Sequence, residues 1–462
     1  MKKTIIIDLS VLISSLIIIS LPNVFADDLR RILLIAVLLP FWLVIVKNIL
    51  MIAPNRHKIA LHKFSSPILF GSIAFISILL LAYLKSVNQG ALSRASALSS
   101  VFLWLTVSLF GITVFLNPHF ANRKDQLKRG ILYAVGAYVS FNVVLHLINP
   151  GFLQATQRFS RIYGYSDFGN SAMLAAIGIQ KGRVLFPTAS GVNAMGPIAG
   201  AALIVGIFML LEKKGSYQNK LLGLFFIMTA VYALFSIDSR FSTFSALVTI
   251  LIIFLMPRSS LKYLLLPAAI SPAFPLILLN LSESLVELGL LTPFSRGSSD
   301  VITFNSRAFA WDSAINALSH DLSFSHLLGF GIYGQQISGV VTGYARYFRV
   351  SNPSLHNYSL QYIFDTGYLG LGLFLLLYGI VFYKLATLSL KSNQNTDLIL
   401  VALLMFILIV STLETAITIY NEEVFIMFLM IVCAALPTKI YHNQACSSVP
   451  AKHEYAEFVI PG

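Results

Sequence analysis

The sequence is dominated by a succession of long apolar runs, each close to the length that a helix needs to cross a lipid bilayer. The runs lie at about 4–22, 32–52, 67–86, 98–117, 131–150, 191–212, 221–237, 241–256, 263–281, 359–383, 398–416 and 423–436. A spanning helix takes about 20 apolar residues, whereas a β-barrel would show shorter stretches of alternating polarity. Hydrophobic residues make up 57% of the chain and charged residues 11%, against about 25% charged in soluble domains. The sequence therefore predicts an all-α polytopic membrane protein with about 12 transmembrane helices.

The first apolar run, which follows two lysines, permits two interpretations. Residues 24–26 (Val-Phe-Ala) precede two aspartates, and this order is typical of a secretory signal peptide with a cleavage site. An uncleaved first helix is the alternative, and we favour it because a second apolar run, 32–52, follows at once. With that helix retained, residues 1–437 form a single polytopic membrane domain, and residues 438–462 form a short cytoplasmic tail.

The loops between these runs divide lysine and arginine between two sides. Loops on the side of the two termini are rich in lysine, and the positive-inside rule places that side in the cytoplasm. The arginines of the opposite side are Arg30, Arg31, Arg94, Arg158, Arg161, Arg183, Arg240, Arg296, Arg307, Arg346 and Arg349. Because a planar guanidinium donates paired hydrogen bonds to phosphate, we expect this outer face to hold an anion, although each arginine could instead pair with a loop carboxylate. The formal charge of +13 therefore reflects membrane topology and not a nucleic-acid partner.

Two loops on the outer, periplasmic side are long, at about 150–190 and 282–355. The second is polar in an otherwise lipid-like sequence, and loops carried by a rigid scaffold are where binding and catalytic residues concentrate. Helical spacing within it relates Ala308, Trp311, Ile315 and Leu318. The spacing predicts an amphipathic helix that lies on the membrane surface.

Two arginines lie where they could meet the headgroup of a lipid-linked substrate. Arg240 stands in a short turn between two predicted helices, beside Asp238, which is its alternative partner. Arg307 begins the predicted amphipathic helix four residues before Trp311. A phosphate clamp at Arg307, with Trp311 packed on lipid or on a sugar face, is one interpretation, and a solvated surface arginine is the other.

His356 and Asn357 stand where the long loop re-enters the membrane. Histidine is the side chain whose ordinary pKa permits base chemistry near neutral pH. A histidine at such a junction can also be a simple interfacial residue, but Gln361 and Asp365 follow it on the next apolar run. The glycine-rich stretch 367–372 then indicates close helix packing of the small-residue type.

In their order along the chain, these motifs resemble the O-antigen ligase and O-antigen polymerase superfamily of bacterial surface-polysaccharide enzymes. The matching pieces are Gly191-Val192-Asn193, Ser239-Arg240, Arg307 with Trp311, Gly329-Phe330-Gly331, His356-Asn357-Tyr358-Ser359-Leu360-Gln361 and Asp365-Thr366-Gly367. They cover about residues 180–380, and the helices outside this region contribute hydrophobicity alone. The chain departs from the family pattern at Phe241, where a small residue is usual, and at Asp365, where glutamate is commoner.

The resemblance implies a GT-C-like fold in the bacterial inner membrane, with the active site facing the periplasm. It implies a metal-independent glycosyltransferase that passes a glycan from an undecaprenyl-pyrophosphate carrier to an acceptor hydroxyl on the lipid A core or on a second lipid-linked glycan. No cofactor is expected, and the outer loops show no cluster of acidic and histidine ligands that would predict a metal site. The two cysteines, one in the last apolar run and one in the tail, do not predict a disulfide framework or a thiolate site.

The resemblance also implies roles for individual residues. Arg240 and Arg307 are the candidates for the pyrophosphate, whose developing charge guanidinium groups can stabilise. His356 is the candidate base for the acceptor hydroxyl. The candidates for substrate binding are Arg183 and Asn193, in the donor pocket, and Trp311, Asn357 and Gln361.

Four functions fit this pattern. A ligase, which transfers the finished chain to the lipid A core, is the first expectation, and a polymerase, which joins lipid-linked repeat units, shares the same motifs. A small-anion transporter is the alternative from another class, because carriers place ionisable groups within the membrane and use broken helices. Its candidate groups are Asp8, Lys47, His146, Asp365 and Glu414. A flippase-like or scaffold role in glycan assembly is the remaining alternative.

Overall fold

The structure is a computed structural model that describes most of the apolar chain. The described residues are 29–53, 59–61, 65–91, 94–117, 123–148, 183–184, 186–189, 191–212, 215–287, 307–320, 324–348, 354–391, 395–436 and 438–440. The predicted first helix at 4–22, most of the predicted loop 150–190 and the tail beyond residue 440 lie outside them.

Helices make up nearly all of the described chain. Those of the first half are α1 (Leu29–Ile52), α2 (Ser65–Asn88), α3 (Arg94–Leu116), α4 (Lys124–Ile148), α5 (Val192–Leu210), α6 (Tyr217–Ile237) and α7 (Arg240–Leu255). The second half contains α8 (Leu265–Ile270), α9 (Phe274–Glu287), α10 (Arg307–His320), α11 (Phe324–Leu328), α12 (Gly334–Ile337), α13 (Thr342–Phe348), α14 (Tyr358–Lys391), α15 (Thr396–Ser411) and α16 (Glu422–Ala434). Two 3₁₀ segments, Arg258–Leu264 and Ser271–Ala273, flank α8.

Five of the described helical stretches are long and apolar enough to cross a membrane, as judged by length and composition. They are Ser66–Asn88, Lys124–Ile148, Tyr217–Ile237, Arg258–Leu281 and Tyr358–Lys391. Shorter apolar helices occupy Leu38–Ile52, Ser100–Leu116, Ala194–Leu210, Arg240–Leu255 and Thr396–Ser411. The chain is therefore a helical membrane protein, as predicted, and the total of about twelve spans stays a prediction.

One small sheet joins two segments that the loop charges place on the cytoplasmic side. Strand β1 (Ile59–Leu61) pairs antiparallel with strand β2 (Thr438–Ile440), with Ala60 opposite Lys439. Because β2 lies at the start of the predicted tail, residues 438–440 of the tail form a strand that pairs with the segment after α1.

The predicted helix at 263–281 is divided into short segments. Prolines recur within it, at Pro267, Pro272 and Pro275. Proline has no backbone N–H to donate and its ring clashes with the preceding turn, so a continuous α-helix is disfavoured. The stretch accordingly runs as a 3₁₀ segment, α8, a second 3₁₀ segment and α9.

Helix α15 carries one ion pair at each end. Lys128, near the start of α4, lies 2.7 Å from Asp397 in the first turn of α15. Arg307, at the start of α10, lies 2.7 Å from Glu414, which follows the last turn of α15. Each pair joins segments that the charge pattern assigns to the same side of the membrane. Two of the predicted catalytic residues, Arg307 and His356, lie at the second of these ion pairs.

The longest helix, α14, is broken at Gly367. This residue has a φ of 76° and a ψ of 179°, a conformation that residues with a Cβ rarely adopt. Just before the break, the carbonyls of Phe364 and Asp365 accept hydrogen bonds from the amides of Phe330 (2.7 Å) and Gly331 (3.0 Å). The Gly-Phe-Gly motif of the long loop thus fastens that loop to the broken part of α14.

Gly367→Ala is expected to destabilise the protein, and Gly372→Ala on the same helix is the matched control. A Cβ at Gly367 would lie less than 3.0 Å from the backbone carbonyl of Leu327, and the backbone conformation itself disfavours alanine by about 1–3 kcal/mol. A Cβ at Gly372 meets nothing within 4 Å. Thermal unfolding in detergent should show a lower midpoint for the first variant alone. Equal midpoints for the two variants would contradict this account of the break.

Candidate functional site

Helix α10 forms where the helical spacing predicts it, but its apolar face is covered by protein. Trp311 is fully buried, and its indole nitrogen donates to the carbonyl of Leu355 at 2.7 Å. Ala310 and Ala314 are buried in the same hydrophobic cluster. A side chain without exposed surface has no face left for lipid or sugar, so the predicted ligand contact of Trp311 is corrected. Trp311 instead holds α10 against the segment that leads to His356.

Asn357 is buried at the start of α14 and caps that helix. Its side-chain oxygen accepts from the amide of Leu360 at 3.0 Å, which satisfies one of the free N–H groups of the first turn. Its side-chain nitrogen donates to the carbonyl of Thr412 at 2.8 Å. The predicted contact with substrate is therefore corrected, because both ends of this amide fasten the first turn of α14 to the end of α15.

Gln361 lies one turn further along α14, fully buried in a polar network. Its side-chain nitrogen donates to Gln335 at 2.7 Å and to Asp365 at 3.1 Å, and its oxygen accepts from the amide of Leu355 at 3.1 Å. Asp365 also accepts from the amide of Gly334 at 2.9 Å. Both polar atoms of the Gln361 side chain are thus engaged, so this residue, predicted to bind substrate, braces the long loop against α14.

Two side chains, those of Arg307 and His356, meet at the carboxylate of Glu414, just after the end of α15. Nη2 of Arg307 lies 2.7 Å from Oε1 of Glu414, and Nη1 of Arg307 donates to the carbonyl of Leu413. Nδ1 of His356 lies 3.5 Å from Oε2 of Glu414. Glu414 thus stands between the predicted base and one of the predicted anion-binding arginines.

This site is largely enclosed but still reaches solvent. Side-chain exposure is 13% for Arg307, 15% for Glu414 and 23% for His356. Burial by itself would raise the pKa of the Glu414 carboxyl, but the charge of Arg307 and the neighbouring His356 outweigh it and hold that pKa below its usual value of 4.5. Glu414 is therefore a carboxylate at neutral pH and balances the positive charge of Arg307.

His356 adopts a left-handed backbone conformation, with a φ of 50°. Such a conformation costs a residue with a side chain about 1–3 kcal/mol, and residues of this kind cluster at functional sites. Nδ1 of His356 is buried and has no hydrogen-bond partner among the described residues. Its 3.5 Å separation from Glu414 exceeds the usual hydrogen-bond length of about 2.7–3.2 Å, so the two groups face each other without a hydrogen bond of ordinary length.

Arg240 and Arg183 each contact the turn between α6 and α7. Nε of Arg240 lies 3.2 Å from the buried carboxylate of Asp238, the left-handed residue that ends α6. Nε of Arg183 donates to the carbonyl of Ile237 at 2.8 Å. A cation is favoured at the C-terminal end of a helix, where carbonyls lack intrahelical partners. Both arginines therefore stabilise this turn. The sequence left open whether each arginine pairs with a carboxylate, and both Arg240 and Arg307 do so, with Asp238 and Glu414 respectively.

The structure brings Arg307 and His356 to one carboxylate and places Arg240 at a separate turn. Asn193 lies in the first turn of α5, and its side chain is outside the described residues. Glu414 was missed as a site residue, because the sequence presents it only as an ionisable group for a transporter. The signal that could have identified it is a single acidic residue at the outer end of an apolar run.

Among the described residues, no group of three or more His, Cys, Asp or Glu side chains is placed to hold a metal ion. A scan against known protein families finds no family that matches this chain. A search of curated proteins likewise finds no match. Function is therefore inferred from the geometry around Glu414 and from the motifs themselves.

Proposed function

We propose that this protein is a membrane glycosyltransferase of the O-antigen ligase type, with its site at the outer end of the bundle. The observation that carries the proposal is the meeting of Arg307 and His356 at Glu414. A guanidinium suited to phosphate and a titratable base thereby share one small, partly exposed site. The donor is a glycan on undecaprenyl pyrophosphate, and the acceptor is a hydroxyl of the lipid A core.

The transfer requires a base and a stabilised leaving group. His356 takes the proton of the acceptor hydroxyl while the hydroxyl oxygen forms a bond to the anomeric carbon of the glycan. The bond from that carbon to the pyrophosphate oxygen breaks, and its electrons leave with the pyrophosphate. Arg307 stabilises the added negative charge, and the same role for Arg240, which lies at a separate turn, stays a prediction. The imidazolium then releases its proton to solvent, which restores the base.

Pairing with Glu414 leaves Arg307 with donors for a second anion. A guanidinium carries five N–H donors, and the described contacts of Arg307 use one on Nη1 and one on Nη2. The side chain also keeps 13% of its surface exposed. A phosphate oxygen can therefore join the site without displacing Glu414, and the two existing contacts orient the guanidinium before the substrate arrives.

The proposal includes the side of the membrane on which transfer occurs. The arginine-bearing end faces the periplasm of a bacterial inner membrane, because lysine-rich loops are retained in the cytoplasm. A polymerase that joins lipid-linked repeat units would use the same residues and would differ in its acceptor.

A small-anion transporter is the second candidate, and the break in α14 is the observation that favours it. Carriers often bind their substrate at interrupted helices within the membrane, and Asp365 lies two residues before the break at Gly367. The carbonyls before the break are, however, hydrogen-bonded to the amides of Phe330 and Gly331. Carbonyl oxygens do not bind an anion, and these two already accept hydrogen bonds from the protein, so the described contacts at the break do not form an anion site and transfer is the better-supported function.

A transfer assay with purified protein, a lipid-linked glycan and candidate acceptors distinguishes these functions. We expect gel analysis to show an extended acceptor: the lipid A core for a ligase, or a second lipid-linked glycan for a polymerase. Transfer is expected to persist in EDTA, because the guanidinium of Arg307 supplies the charge stabilisation. Loss of transfer in EDTA with recovery in magnesium would refute the role of the arginines. Anion flux in proteoliposomes without any transfer would establish the transporter instead.

A further inference from the structure

Glu414 divides its two carboxylate oxygens between two neighbours. Oε1 receives Nη2 of Arg307 at 2.7 Å, and Oε2 faces Nδ1 of His356 at 3.5 Å. A carboxylate in this place can hold the ring of a histidine in one orientation and favour the tautomer with its proton on the facing nitrogen. Nε2 is then the nitrogen left to accept a proton.

We propose that Glu414 is a positioning residue for His356. Its carboxylate orients the imidazole so that Nε2 faces the acceptor hydroxyl, and it stabilises the imidazolium formed there. This inference rests on the proposed glycosyl transfer and assigns a further role within the same site. In the transfer step the hydroxyl proton moves to Nε2 while the new oxygen–carbon bond forms and the carbon–pyrophosphate bond breaks. Glu414 gains neither a proton nor a bond, and it acts through the histidine alone.

The backbones that carry the base and the carboxylate are fastened to each other. The amide of Glu414 donates to the carbonyl of Val410 at 3.1 Å, so Glu414 extends the last turn of α15. Asn357, the neighbour of His356, donates to the carbonyl of Thr412, two residues before Glu414, at 2.8 Å. An incidental ion pair between mobile surface side chains has no such support and is worth little. The contact between carboxylate and imidazole is therefore built into the junction of α14 and α15.

The charged groups around His356, among the described residues, are Glu414 from the segment after α15 and, beyond that carboxylate, Arg307 from α10. They act in opposite directions on an imidazolium, since the carboxylate attracts it and the guanidinium repels it. Removal of the carboxylate charge leaves the repulsion alone. The imidazolium that forms during transfer is then less stable, so turnover falls.

Glu414→Gln tests the proposal, because glutamine keeps the size and an oxygen that can accept from Arg307 but lacks the charge. We expect kcat to fall about tenfold or more while donor KM changes little. Glu212→Gln is the matched control, because Glu212 pairs with Arg129 at 3.1 Å at the opposite end of the bundle. The Glu212→Gln substitution should leave both kcat and donor KM unchanged.

Three results would count against this role. A rise in donor KM with kcat unchanged in Glu414→Gln would overturn it, because Glu414 would then act on donor binding and not through His356. A lower thermal midpoint with unchanged turnover would show that Glu414 serves folding alone. If the wild-type protein itself transfers no glycan in the same assay, the proposed function fails and the inference with it, so the two failures are distinguishable.

Discussion

His356→Ala and His356→Gln are each expected to lower turnover by at least about a hundredfold while folded protein is still produced. The base must accept a proton from the acceptor hydroxyl, and neither replacement has a group that does so near neutral pH. The measurement is turnover per folded molecule, with donor affinity measured alongside. Donor affinity should change little, because the pyrophosphate contacts belong to the arginines.

His356→Asn is the most informative replacement because of the backbone at this position. His356 has a φ of 50°, and asparagine tolerates that left-handed conformation better than alanine or glutamine does. Asparagine thus keeps the backbone preference and removes the base, so we expect a folded and inactive protein. Turnover near that of the wild type in either the Asn or the Gln variant would remove His356 from the mechanism.

Arg307→Ala is the second variant with a large expected effect, and it acts on both stability and turnover. Removal of the guanidinium leaves Glu414, which is 15% exposed, without its closest counter-charge and frees the carbonyl of Leu413. Loss of one partner of a fully buried pair costs about 3–5 kcal/mol, and the partial exposure of this pair makes the cost smaller. We therefore expect a lower thermal midpoint together with near-complete loss of transfer.

The double variant Arg307→Ala with Glu414→Gln separates those two effects. Glutamine removes the unmatched charge, so much of the lost stability should return. Transfer should stay well below that of Glu414→Gln alone, because the pyrophosphate still lacks its guanidinium. Equal transfer in the double variant and in Glu414→Gln alone would show that Arg307 serves the fold only.

Arg307→Lys asks whether charge alone suffices at this position. Lysine keeps the positive charge but loses the planar fork that can hold Glu414, Leu413 and a phosphate together, so we expect partial activity. Arg129→Lys is the matched control, since Arg129 pairs with Glu212 at 3.1 Å at the other end of the bundle. Wild-type transfer in both lysine variants would mean that the guanidinium geometry of Arg307 is not needed.

The membrane helices were predictable because hydropathy is a local property of the chain. Helices α2, α6 and α15 lie where the apolar runs 67–86, 221–237 and 398–416 predict them. An apolar segment of about 20 residues has few alternatives to a helix in lipid, since its backbone polar groups must find partners within the segment. Breaks inside such a segment are harder to predict, as the proline-divided stretch 263–281 shows.

The site was predictable only in part, because residue type does not tell whether a side chain faces solvent or the interior. Arg307 and His356 were identified by their chemistry and by their order in the chain. The same reasoning selected Trp311, Asn357 and Gln361, which are all fully buried and hold the structure together. An indole or an amide can satisfy a carbonyl of the protein as readily as it can contact a sugar.

By itself, the sequence determined that this protein is built from membrane helices, which loops carry lysine and which carry arginine, and that a helix begins at Arg307. Only the tertiary structure decided which side chains meet. Glu414 lies 107 residues after Arg307, and the carbonyl that binds Trp311 belongs to a residue 44 positions further along. Contacts over such separations depend on how helices pack against one another. Local hydropathy and helical spacing do not encode that packing, so the partner of the predicted base and arginine became visible only in the folded chain.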